Sequence, residues 1–264
     1  MTYEPHEFAR VGKALLLASA TAWIVLLFDR GSLNVVEHCA ALKSGAAPPI
    51  APLPVLSAVN PPASLVMGWA AMLVAMMSPV LIAPICHIRL RSFTDRRTRS
   101  VALFVSGYTA VWLAMGYVLC AIALAAKFIA PRTYLPLAGA AILAILWQVS
   151  PLRQRCLNGC HGYAELPAFG AAADFGALRF GVGHAIWCIG SCWALMLFPM
   201  LLSRGHLWAM AAVALVIAGE RLESPAEPSW RWRGLRKATR LVAAQARLRL
   251  HALQKNGPLF SPGA

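Results

Sequence analysis

An all-α polytopic membrane bundle is the fold class this sequence predicts, and three observations predict it. The chain is 59% hydrophobic and only 13% charged, with a mean hydropathy of +0.62, whereas soluble domains carry about twice that share of charge. Its apolar residues fall in continuous runs of roughly 20, the length a helix needs to cross a bilayer. The runs do not alternate as barrel strands do, and within lipid every backbone amide must be paired inside its own segment.

Six spans follow in order. Residues 1–10 are polar, and Arg10 and Lys13 lead into a first span over about 14–28, read as an uncleaved anchor. Residues 29–62 are rich in Pro and Ala and predict an extended loop, in which His38-Cys39 is a weak donor pair. A second span covers about 65–86. Pro79 and Pro84 interrupt its hydrogen-bond ladder and free carbonyls one turn earlier, that of Ala75 among them. A basic loop then leads to the third span, about 101–126, and a short turn to the fourth, about 134–149, which ends at Ser150-Pro151. The fifth covers about 181–200 and the sixth about 206–219, with Glu220-Arg221 closing it at the water interface. Residues 1–226 thus form a six-helix transmembrane domain, and residues 227–264 a basic juxtamembrane tail, partly an amphipathic helix.

The net charge is +14, yet the cations flank the spans, so membrane topology accounts for them and nucleic acid is not an expected partner. With six spans and the amino terminus inside, nineteen of the 24 Lys and Arg lie on the side of the termini. That bias predicts both termini in the cytoplasm. The tail interleaves Trp230 and Trp232 with arginines, a pattern suited to anionic lipid. Seven cysteines in no secreted-scaffold spacing argue against a disulfide framework.

The fifth span carries the chemistry. His184, Cys188, Cys192 and Met196 recur every four residues, so each lies about one helical turn from the last on one drifting face. Thiolate and thioether donors favour soft ions such as Cu(I), and an imidazole can join them. Cys and Met are also ordinary packing residues, and a stripe at this spacing is equally a packing face. Threaded antiparallel through the bilayer, the second span brings Met72, Met76 and Met77 to the depth of that stripe. Trp69-Ala70-Ala71-Met72-Leu73 echoes Trp193-Ala194-Leu195-Met196-Leu197, each in the middle span of a three-span half. Two such halves insert in opposite directions, a 3+3 inverted repeat with a midplane site. Between the fourth and fifth spans, Cys156, Cys160 and His161 offer a cytoplasmic port for a soft metal, structural zinc, or inert thiols.

An ordered set of motifs carries a family resemblance: Trp69-x-x-Met72-x-x-x-Met76-Met77-x-Pro79, Gly107-Tyr108-x-x-x-Trp112, Ser150-Pro151-Leu152 with Cys156 and Cys160, Cys188-x-Gly190-x-Cys192-Trp193-Ala194-Leu195-Met196, and Glu220-Arg221. Together they resemble the bacterial family labelled domain of unknown function 2182, predicted metal-binding integral membrane proteins. The resemblance spans about 65–221 and implies metal binding in a bacterial inner membrane. Where that family has paired cysteines before the tryptophan, this chain has Ser191-Cys192, and a hydroxyl is a poor soft-metal donor.

Three functions are weighed. The first is a membrane protein that binds a soft transition metal, copper foremost and as Cu(I), for transport, delivery or sensing. Membrane lipids, partner subunits or a metal-donor protein are its expected partners. The second is a structural subunit or assembly factor of a larger membrane complex, its sulfur stripe simply dry packing. The third, a haem oxidoreductase with axial ligands from His87, His184 or His206, ranks last because no two histidines share a depth. No Ser/His/Asp set, Walker loop or intramembrane carboxylate pair is present, so no enzyme is expected.

Overall fold

At Pro79 and at Ser150-Pro151 the helices break or bend, whereas Pro199 lies inside a continuous helix. A computed structural model describes residues 5–28, 62–130, 133–202 and 205–232, with scattered positions between 237 and 247. It contains α1 (Pro5–Phe28), α2 (Pro62–Met77), α3 (Ile82–Arg91), α4 (Arg97–Ile129), α5 (Leu135–Val149), α6 (Pro151–Gly159), α7 (Gly170–Leu201) and α8 (His206–Arg221). Short 3-10 turns occupy Ser78–Leu81 and Thr94–Arg96. The described residues contain no strand. The expected loop over 29–62 with its His38-Cys39 pair, and most of the basic tail, fall outside the described residues.

Pro79 lies in the 3-10 turn that separates α2 from α3. Lacking an N–H, it cannot bond the Ala75 carbonyl one turn earlier. The Ser19 hydroxyl of α1 donates to that carbonyl instead, at 2.6 Å. The Ser78 hydroxyl donates to Val74 O at 2.6 Å. The broken span thereby keeps its backbone satisfied, as an apolar surrounding requires, and the break fastens α1 to α2.

The second proline device turns the chain more sharply. α5 and α6 meet at 67° across Ser150-Pro151. Ser150 is the N-cap of α6, its hydroxyl accepting from the Arg153 amide at 3.2 Å, and Pro151 fills the first helical position where no N–H is needed.

Four helical stretches are long and apolar enough to cross a bilayer: His6–Phe28, Val66–Arg91, Thr94–Ala126 and Gly170–Leu201. The bent α5–α6 pair makes a fifth if it counts as one broken span. The sixth expected span, α8, has 16 residues, about 24 Å at 1.5 Å per residue, against a hydrocarbon core of about 30 Å.

α7 is the central element. It packs most extensively on α4 and also meets α5, α6 and α8, while α2 packs against α1, α4 and α8. Small residues let α4 and α7 approach. A Cβ on Gly181 would come within 2.2 Å of Phe104 O, and one on Gly107 within 2.8 Å of Leu178 O. Backbone contact of this kind is how helices gain packing where lipid offers no hydrophobic drive. Trp69 of α2 joins the same core by donating to Trp112 O at 3.0 Å.

Candidate metal centre

Three helices converge on the Cys188 sulfur. α4 presents Tyr108 and Trp112, one turn apart on a single face, and both are buried. The Tyr108 hydroxyl lies 3.3 Å from Cys188 Sγ. α8 presents Arg221, whose Nη2 donates to Cys188 Sγ at 3.1 Å and to the Ser191 hydroxyl at 3.2 Å. α7 itself supplies Cys192, one turn onward, whose thiol lies 3.1 Å from the Cys188 carbonyl and within hydrogen-bonding reach of the Cys188 sulfur. The Trp112 ring packs on that of Tyr108 at a centroid distance of 6.4 Å, and its buried Nε1 has no hydrogen-bond partner among the described residues. One thiol is thus met by a phenol and a guanidinium, with a second thiol one turn on. The phenol and the guanidinium can both donate to a sulfur that carries negative charge.

The stripe on α7 extends to either side of this pair. His184 is buried one turn before Cys188, ringed by Phe104, Tyr108 and Phe180 at centroid distances of 6.0, 6.1 and 6.0 Å. Met196 is buried one turn after Cys192. Met72, Met76 and Met77 on α2 are buried in the same continuous core as the thiols. The polar contacts of Cys188, however, come from α4, α7 and α8.

Cys156, Cys160 and His161 are divided among different neighbours. Cys156 faces Gly190 of α7, where a Cβ would come within 2.5 Å of its sulfur. His161 turns both ring nitrogens to carbonyls, Nδ1 to Leu157 O at 2.9 Å and Nε2 to Arg221 O at 3.2 Å. Cys160 is buried, with Arg221 near enough to act on its thiol electrostatically. Burial pushes that thiol up to about 11, so it keeps its proton at neutral pH.

Glu220 and Arg221, expected at the water interface, are turned inward. Glu220 is 4% exposed and ion-paired with Arg153, which is 0% exposed. Gln148 donates to the other Glu220 oxygen at 2.7 Å. Arg153 also donates to Ser191 O and Gln148 O, both at 3.3 Å. α5, α6, α7 and α8 are therefore clamped together around one neutralised pair. The chain beyond α8 folds back on α6: the Gln154 amide donates to Ser229 O at 2.7 Å and Arg231 O at 2.9 Å, and Asn158 donates to Ala226 O at 2.7 Å.

The α7 stripe is legible in the sequence, but the donors around it are not. Tyr108 and Trp112 were visible only as a motif, although their four-residue spacing on an apolar helix places both on one face. Ser191, the odd residue in the α7 motif, accepts from Arg221 and donates to the Cys188 carbonyl at 2.7 Å. It links the arginine to the helix instead of replacing a sulfur.

The donor set fits a soft ion of low coordination number. Among the described residues, no three His, Cys, Asp or Glu side chains are grouped so as to hold a metal, whereas structural zinc sites take four such donors. Two neighbouring thiols with a thioether on the same helix match the preference of Cu(I) for soft sulfur.

The region that holds these elements also matches a known family. Residues 66–243, more than half of the chain, match the family model PpoB2, described as a copper chaperone. That description agrees with the metal-binding character implied by the motifs, under a different family name. No curated protein and no solved structure matches.

Proposed function

We propose, for a chain that belongs to the copper chaperone family, that it holds Cu(I) as cargo on Cys188 and Cys192 and passes it to a partner protein. The observation that carries this reading is the Cys188 sulfur, met by Tyr108 and Arg221 and adjoined by Cys192. Thiols bind metal as thiolates. Met196 supplies a thioether one turn beyond, a soft donor to which a weakly held ion can move. Met72, Met76 and Met77 fill the core around the Ser78–Leu81 break and extend the sulfur-rich surroundings of the pair.

The family favours delivery over transport or sensing. The long apolar helices, four or with the bent pair five, support residence in a membrane; a bacterial inner membrane, with a short sixth span in α8 and both termini cytoplasmic, is the arrangement that the basic flanks favour. No substrate is chemically converted in this scheme, and the chain acts as a carrier rather than an enzyme. Its partners are the surrounding lipids, a copper donor and a copper acceptor.

Metal analysis of the purified protein tests the proposal. About one copper per chain is expected, with loss of copper from the Cys188→Ser/Cys192→Ser variant and retention in Met72→Leu/Met76→Leu. Unchanged copper in the double serine variant overturns it.

A further inference from the structure

We infer that Arg221 sets the charge of the metal this centre accepts, selecting a monovalent soft cation over a divalent one. The inference rests on the Cys188–Cys192 reading and adds a specificity determinant to it.

Arg221 is a cation whose head is buried without an acidic partner. Its Nη2 contacts the Cys188 sulfur and the Ser191 hydroxyl, while Nε and Nη1 are buried with no hydrogen-bond partner. The ion pairs of the described residues use Arg89, Arg96, Arg99 and Arg153, and Arg221 is in none of them. The neighbouring carboxylate, Glu220, is already spent on Arg153 and Gln148. The Arg153–Glu220 pair sums to zero, so one positive charge remains beside the thiols. A buried charge of this kind is costly unless something answers it.

The cargo complex supplies the answer. When two thiols bind one Cu(I), two protons leave and two sulfur–metal bonds form, with no change of oxidation state. The resulting bis-thiolate complex carries one negative charge, and Arg221 brings the centre to zero. The same two thiolates around Zn(II) make a neutral complex, and Arg221 is then left unanswered in an apolar interior. Charge matching therefore works for the monovalent ion and against the divalent one, and the low dielectric magnifies the difference.

The experiment uses intact protein in detergent, with Ag(I) as a redox-inert monovalent probe and Zn(II) as the divalent one. Each affinity is measured by competition with a chromophoric chelator. Arg221→Met is expected to lower the Ag(I)-to-Zn(II) affinity ratio by about 10- to 100-fold, and Arg221→Lys to hold it within about threefold. An Arg221→Met ratio equal to that of the wild type overturns the inference. Should that variant fail to fold, Arg221→Gln, which keeps a polar head without the charge, is measured in its place. The same fall in the ratio is expected of it, and a ratio equal to that of the wild type overturns the inference. Full Ag(I) binding by Cys188→Ser/Cys192→Ser instead identifies a failure of the thiol-pair reading itself.

Discussion

Arg221 donates to the Cys188 sulfur across 3.1 Å, joining the end of α8 to the middle of α7. The contact places a fixed positive charge against a group that can become negative. Tyr108 approaches the same sulfur from α4, so three helices must hold their relative positions for the thiol to keep its surroundings. The fold devices described above, the glycine contact of α4 with α7 and the Arg153–Glu220 clamp, serve that requirement.

Tyr108→Phe removes one donor from the sulfur and leaves both thiols in place. Copper stoichiometry should be unchanged while Cu(I) affinity falls by about threefold to tenfold, the range of one hydrogen bond. Competition titration against a Cu(I) chelator checks this, and an affinity equal to the wild type means that the phenol contributes packing alone.

Arg153→Met leaves the Glu220 carboxylate buried without its cation. Breaking such a pair should destabilise the protein by about 3–5 kcal/mol, whereas Arg153→Met/Glu220→Leu, which removes both charges, should recover most of the loss. Thermal unfolding in detergent reads both variants. A double variant as unstable as the single one contradicts the clamp.

Ser19→Ala should leave the Ala75 carbonyl without its donor at the Pro79 break. The expected cost is about 1–3 kcal/mol, the penalty of a buried unsatisfied acceptor. Denaturant unfolding, compared with Thr21→Ala as a control on the same helix, measures it. Thr21 bonds within its own helix, to Leu17 O at 2.9 Å, and is expected to change stability little.

Local features of this protein could be read from the chain, and the long-range ones could not. The four-residue rhythm of His184, Cys188, Cys192 and Met196 marks one face of a helix whatever surrounds it. Pro79 announces a freed Ala75 carbonyl, and Ser150-Pro151 announces the end of α5, because proline's missing N–H acts within one turn. The partner of that carbonyl, Ser19, lies 56 residues away and only packing reveals it. Arg221 at the end of an apolar helix resembles a side chain that reaches for water. It turns instead onto Cys188 and Ser191, 33 and 30 residues away on α7, a contact that only packing reveals. Depth in the bilayer matches α2 with α7 but carries no information about contact. The structure packs α7 chiefly on α4, where Gly107 and Gly181 permit backbone contact that apolar run lengths do not encode.

Copper K-edge X-ray absorption on the Cu(I)-loaded, purified protein reads the ligands of the bound ion. A first shell made of sulfur is expected, with the edge shape of a low-coordinate Cu(I) ion, and its loss in Cys188→Ser/Cys192→Ser. A first shell of nitrogen and oxygen, or a sulfur shell that persists in that variant, would contradict it.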